Sequence, residues 1–111
     1  MTGPLEAALR RQRDRGRKLL VPYVTGGMGD WADVVRAAAA AGADAVEVGI
    51  PFSDPVMDGP VIQEASQRAL AAGATPPAIV ADLGRLDVEI PLAVMTYYNL
   101  VFRGGLRRFA R

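Results

Sequence analysis

Three carboxylates lie close together in a part of the chain that is otherwise apolar or rich in turn-forming residues. Glu47 interrupts the apolar run 43–50, and Asp54 and Asp58 follow it in the segment 51–59. The chain contains no Cys and no His, which excludes disulfides, zinc clusters, thiolate nucleophiles and Ser-His-Asp triads. Its only lysine lies in an arginine-rich stretch, so a buried Schiff-base lysine is not expected. Any chemistry must therefore come from carboxylates and tyrosines.

Glu47 is the first candidate for a catalytic group. Its neighbours Val46 and Val48 would point to the opposite face of the strand, and helices would cover that face. Glu47 would then point inward near the C-terminal end of its strand, where β/α barrels carry their active sites. Loss of hydration would raise the pKa of this carboxyl and suit it to proton transfer near neutral pH. A structural carboxylate paired with an arginine or with backbone donors explains the same pattern equally well.

The two aspartates of the segment 51–59 allow several interpretations. Together with Glu47 they could hold a divalent cation through oxygen ligands. An Asx turn is the simpler interpretation of Asp54, and Asp58 could instead cap the helix that follows. The pattern alone leaves the role of Asp58 open.

Two tyrosines and a glycine-rich turn also fall near the predicted ends of strands. Tyr23 and Tyr97 could line a pocket for a flat aromatic ligand, although core packing is the more common role of such residues. The turn 26–29 lacks the glycine spacing of nucleotide-binding loops, and Asp30 beside it would repel an anion. We therefore interpret it as a turn and not as a phosphate site.

Charge is unevenly distributed along the 111 residues, which are enough for one domain at most. Residues 1–20 hold six basic and two acidic side chains, whereas residues 19–100 hold ten acids and only three arginines. A nucleic-acid-binding protein would show the reverse, with its positive charge on the folded surface. Because no apolar run is long enough to span a membrane and no secretory signal is evident, we expect a cytoplasmic protein.

The apolar periodicity predicts helices that alternate with strands. Helices are expected at 4–15, between 30 and 42, at 60–73 and at 75–84, strands at 19–25, 43–50 and 91–98, and the first turn of another helix at 104–111. Strands that are almost continuously apolar are typical of parallel sheets built from right-handed βαβ units.

Three parallel strands cannot close a barrel, and an eight-stranded β/α barrel takes roughly 250 residues. The predicted fold class is therefore α/β, a (β/α)8 TIM barrel of which residues 1–111 hold about the first three units, as the N-terminal part of one domain. A small flavodoxin-like domain is the rival, but such a domain would need about five strands.

One long segment resembles a known signature. Residues 47–63, EVGIPFSDPVMDGPVIQ, resemble the signature of the tryptophan synthase alpha subunit family. The flanking segments agree with it: VPYVT at 21–25, AGAD at 41–44, RALAAG at 68–73 and MTYYNLVF at 95–102. The resemblance extends from about residue 5 to the end of the chain. The turn 26–29 departs from it, because it lacks the proline that the family commonly has there.

The resemblance implies a β/α-barrel lyase of tryptophan biosynthesis that cleaves indole-3-glycerol phosphate into indole and glyceraldehyde 3-phosphate without a cofactor of its own. By resemblance Glu47 is the catalytic acid and base, and Asp58 stabilises the ring N–H as positive charge develops on the indole. The resemblance therefore favours acid–base roles for these carboxylates over the binding of a divalent cation. The residues implied to bind substrate are Tyr97, Tyr23 and Met95. Those implied to face a partner are Pro51, Phe52 and Asp54.

The partner implied by the resemblance is a tryptophan synthase beta subunit, which holds pyridoxal phosphate, in an α2β2 heterotetramer. The loops that grip the substrate phosphate lie late in the chains of this family, beyond the region that the resemblance covers. We therefore expect residues 1–111 alone to be inactive or only weakly active. Two alternatives remain open, a lyase that works without a beta subunit and a non-catalytic remnant that only contacts a partner.

Overall fold

The computed structural model describes residues 3–110, which form helices alternating with short strands. The elements in chain order are α1 Pro4–Asp14, β1 Tyr23–Thr25, α2 Trp31–Ala40, β2 Val46–Gly49, α3 Pro60–Ala71, α4 Pro76–Arg85, β3 Leu92–Met95, α5 Tyr98–Gly104 and α6 Leu106–Phe109. No helix among the described residues is long and apolar enough to cross a membrane. The cytoplasmic location stays a prediction.

The three strands form one parallel sheet in the order β1-β2-β3. Consecutive parallel strands that neighbour each other and are joined through helices are the repeating units of a β/α barrel. This strand order is the one expected for the first three units of such a barrel.

The core lies between the sheet and the helices on its outer face. Val46 and Val48 of β2 are completely buried there, against Trp31 and Val35 of α2 and Ile79 of α4. Fully burying such side chains stabilises the fold by about 1.5–3 kcal/mol each. The opposite face of the sheet, called the inner face below, holds the alternate residues of each strand. The candidate site lies on this inner face.

The strands are shorter than the apolar runs predicted. The run 19–25 was expected to be one buried strand, but β1 begins only at Tyr23 and Leu20 is 61% exposed. Pro22 contributes to this boundary because it has no N–H to donate to a neighbouring strand. The run 43–50 likewise contributes only four residues to β2.

The third strand was predicted to continue to Tyr98, which was wrong. It ends at Met95, and α5 begins at Tyr98. Apolar and aromatic residues of the segment 95–102 satisfy either periodicity, so a short helix there could not be distinguished from a strand.

The starts of α2 and α4 differ in their capping. Thr75 caps α4, since its hydroxyl oxygen accepts a hydrogen bond from the Ala78 N–H at 3.3 Å. Asp30 occupies the corresponding position before α2, but its side chain makes no capping hydrogen bond. Of the apolar residues of α2, Val34 is exposed, whereas Trp31 and Val35 are buried.

The glycine-rich turn after β1 is tightly packed. Gly27 has a φ of +82°, which L-residues rarely adopt, and a Cβ there would lie 2.5 Å from the Cβ of Ala74. The turn needs glycine at this position because another segment approaches its backbone closely. This agrees with the interpretation of residues 26–29 as a turn.

Candidate active site

Glu47 lies in the middle of the sheet, on the face opposite the helices. The register pairs it with Tyr23 of β1 and Ala93 of β3. Its side chain is half-buried, whereas Val46 and Val48 on either side of it are completely buried under the helices. The predicted inward direction of Glu47 is therefore what the structure shows.

Gly49 provides the space for the side chain of Tyr23. A Cβ on Gly49 would overlap the Tyr23 hydroxyl and would lie 2.9 Å from its Cε2 atom. Tyr23 is paired with Glu47, but its ring extends along the sheet toward the next pair on the same face, Thr25 and Gly49. Its hydroxyl is thereby directed toward the C-terminal end of β2.

The environment of Tyr23 shows which charged groups share this end of the sheet. Burial raises the pKa of the Tyr23 phenol above its ordinary value, and a hydrogen bond with the Thr25 side chain partly opposes this shift. The negative charges of Asp58 and Glu47 raise the pKa of Tyr23 further, with a smaller contribution from Tyr97. Both predicted catalytic carboxylates therefore lie near the same phenol.

Tyr97 joins the site from the segment after β3. Its hydroxyl oxygen accepts hydrogen bonds from the backbone N–H groups of Val56 at 3.1 Å and Met57 at 3.0 Å. Its ring packs against that of Phe52, with centroids 5.2 Å apart. The residue thus contacts the segment 51–59 near both of its ends.

Asp58 lies at the end of that segment, where the chain enters α3. It is half-buried, and its backbone carbonyl accepts a hydrogen bond from Gln63 Nε2 at 2.7 Å. Gly59 occupies the N-cap position of α3, so Asp58 does not cap the helix. Its carboxylate remains available to the site.

The remaining candidates differ in accessibility. Met95 of β3 is paired with Gly49 of β2, so both lie on the same face of the sheet. The side chain of Met95 is exposed. Pro51 is buried, Phe52 is half-buried, and Asp54 is exposed and accepts a hydrogen bond from the Ser53 hydroxyl at 2.9 Å. The assignment of these residues to substrate or partner stays a prediction.

The carboxylates do not form a metal site in the part of the chain that is described. Within residues 3–110, no group of three or more His, Cys, Asp or Glu side chains could hold a metal ion. The divalent-cation interpretation thus has no ligand group here.

Sequence reasoning missed several residues that shape the site. Gln63 was part of the signature segment but received no role, and Thr25 and Gly49 were not selected. The glycine inside an apolar strand was the one usable signal, because glycine there often marks a close approach of another group. No local sequence pattern indicated the hydrogen bonds of the Tyr97 hydroxyl.

The amino-acid sequence matches a known protein family over most of its length. The family model described as tryptophan synthase alpha chain matches residues 9–111, almost the whole chain. The chain belongs to the tryptophan synthase alpha chain family.

Curated members of this family support the assignment. The tryptophan synthase alpha chain of Carboxydothermus hydrogenoformans is 45% identical over 105 residues, covering 90% of this chain and 39% of the relative. That of Geobacter sp. (strain M21) is 48% identical over 103 residues, covering 88% and 39%. The chain thus spans about two fifths of the length of these relatives.

Solved structures show the same fold. Tryptophan synthase subunit alpha from Legionella pneumophila has a TM-score of 0.84 at 33% identity, covering 99% of this chain and 44% of that one. A tryptophan synthase from M. tuberculosis has a TM-score of 0.86 at 32% identity, covering 100% and 46%. The family's barrel is therefore represented here by its first three units.

Proposed function

We propose that this chain forms the first part of a lyase that cleaves indole-3-glycerol phosphate into indole and glyceraldehyde 3-phosphate. The observation that carries the proposal is the position of Glu47 on the inner face of the sheet, with Tyr23 and Asp58 near it. A retro-aldol cleavage needs proton transfers at defined atoms, and these residues can perform them.

In the proposed reaction Glu47 acts as acid and base. It protonates the indole carbon that bears the side chain and helps to remove the proton from the adjacent glycerol hydroxyl. The carbon–carbon bond between ring and side chain then breaks, its electron pair returns to the ring, and the oxygen becomes the aldehyde carbonyl. Half-burial limits the access of water to this carboxylate while leaving it open to substrate.

Asp58 and the aromatic residues have supporting roles in this proposal. The Asp58 carboxylate accepts a hydrogen bond from the ring N–H, which becomes more acidic as positive charge develops on the protonated indole. The rings of Tyr23 and Tyr97 and the side chain of Met95 line the space for the flat indole.

The proposal includes a partner. The segment 51–59 contacts a tryptophan synthase beta subunit through Asp54 and its neighbours Pro51 and Phe52, in an α2β2 assembly. Pyridoxal phosphate belongs to that subunit, and the cleavage in this chain uses no cofactor.

The test uses residues 1–111 fused to the remaining part of the Carboxydothermus hydrogenoformans alpha chain, which restores the length of the relatives. Replacing Glu47→Gln keeps the shape of the side chain and removes its ability to exchange a proton. We expect indole release by this fusion to fall by about 10²–10⁴-fold.

The matched control is Glu64→Gln, the same substitution at an exposed carboxylate of α3 that pairs with Arg68. Indole release should remain within about twofold of the unmodified fusion, since exposed ion pairs contribute little. Undiminished indole release by the Glu47 variant would overturn the proposed role. Titration with a beta subunit separates the synthase from a lyase that works alone, because only the synthase should be strongly activated.

A further inference from the structure

We infer that Tyr97 is a positioning residue whose hydroxyl fixes the backbone of the segment 51–59 and thereby sets the position of Asp58. The inference deepens the proposed function and rests on it for its catalytic consequence. It assigns to the hydroxyl a task that is separate from the lining role of the ring.

The first support is the pair of hydrogen bonds that the hydroxyl accepts. The N–H groups of Val56 and Met57, two consecutive residues, donate to the same oxygen at 3.1 and 3.0 Å. A tyrosine oxygen has the lone pairs to accept both bonds. A single atom thus holds two adjacent peptide groups of the segment.

The second support is that the side chains of Val56 and Met57 pack little against the rest of the chain. The side chains of Val56 and Met57 are 82% and 85% exposed. Pro55, just before them, has no backbone N–H to donate. The two hydrogen bonds described at this point therefore involve backbone N–H groups, and Tyr97 accepts both.

The third support is the position of Asp58 between two fixed points. It directly follows Met57, whose N–H is held by Tyr97, and its own carbonyl accepts a hydrogen bond from Gln63 at 2.7 Å. Release of one of these points would allow the Asp58 carboxylate to move relative to Glu47. Displacements of about 1 Å can reduce catalysis by about two orders of magnitude.

The variant Tyr97→Phe removes the hydroxyl and leaves the ring, so packing on Phe52 is retained. In residues 1–111 we expect amide hydrogen exchange at Val56 and Met57 to accelerate by about tenfold or more. The amide of Val48 in the buried strand should exchange as slowly as before, which shows that the fold is intact. In the fusion described above, we expect kcat to fall by about tenfold and KM to change by less than about twofold, because the ring still lines the pocket.

The matched control is Tyr98→Phe, which removes a hydroxyl from the next residue. Tyr98 is exposed, and its ring packs on Phe102 at a centroid distance of 6.2 Å. This variant should change neither the exchange at Val56 and Met57 nor kcat.

Each other outcome decides a different part of the inference. Unchanged exchange at Val56 and Met57 in the Tyr97 variant would refute the hydrogen-bonded contact. Faster exchange with unchanged kcat would refute the positioning of Asp58. An unmodified fusion that releases no indole would overturn the proposed function and the catalytic part of the inference, while the exchange comparison would still decide the contact.

Discussion

Gly49 determines where the phenol of Tyr23 can lie. Its φ is outside the left-handed region, so the backbone conformation does not itself require glycine. The requirement comes from space alone, because the Tyr23 hydroxyl occupies the position that a Cβ would take. The smallest side chain on the inner face therefore positions one of the largest.

The substitution Gly49→Ala should therefore destabilise the chain. Overpacking a close-packed site costs about 1–3 kcal/mol, and we expect the free energy of unfolding in urea to fall by that amount. Gly84→Ala in α4 is the control, since no atom lies within 4 Å of the added Cβ. It should raise the free energy of unfolding by roughly 0.5–1 kcal/mol, because alanine is the better helix former. Equal stability of the Gly49 variant and the unmodified chain would refute the steric argument.

The sequence permitted part of the site to be predicted residue by residue. Strand alternation placed Glu47 on the inner face, because its valine neighbours had to be buried. The contacts of Tyr97 with Val56 and Met57 join residues that are 41 and 40 positions apart. No periodicity or local motif reports such a distance, so these contacts required the three-dimensional structure.

At the level of elements, α4 shows how a helix start supports the core. Thr75 satisfies the Ala78 N–H through its hydroxyl, and Pro76 follows at the first helical position. The helix that begins there carries Ile79, which is 2% exposed and packs in the core beside Val48.

Replacing Thr75→Ala removes the capping oxygen. We expect the free energy of unfolding to fall by about 1 kcal/mol, measured by urea unfolding followed by circular dichroism. Thr75→Ser retains a hydroxyl at this position and should lose no more than a few tenths of that amount. A serine variant as unstable as the alanine variant would show that the methyl group and not the cap matters.

The elements themselves were only partly predictable. The long helices were predicted to within a few residues at most, since caps, prolines and terminal glycines mark their ends. The strands were overestimated, because an apolar run such as 19–25 does not reveal that β1 pairs only from Tyr23 onward. Helix α5 was missed because its residues suit both strand and helix.

At the level of the whole molecule, the described residues place the candidate chemistry at one end of a three-stranded sheet. The resemblance puts the residues that bind the substrate phosphate in later parts of the family's chain. Binding energy at a remote group is used to hold the reacting end in place.

Residues 1–111 alone should therefore release indole from indole-3-glycerol phosphate at less than about 1% of the rate of the fusion, because the remote binding contribution is absent. The measurement is indole release at equal protein concentration and saturating substrate. A rate within a few-fold of that of the fusion would show that the first three units bind the substrate without further residues.

The arrangement of Glu47 and Asp58 around Tyr23 also has a consequence for the direction in which a substrate enters. Indole-3-glycerol phosphate is apolar at one end and anionic at the other. Two like unit charges 8 Å apart repel each other by about 2 kcal/mol at an effective dielectric constant of 20. In the enzyme that we propose, negative charge at Glu47 and Asp58 would disfavour the reversed orientation, with the phosphate inward, before any residue that attracts the phosphate takes part. The acids that we propose to carry out the cleavage would also select which end of the molecule reaches them.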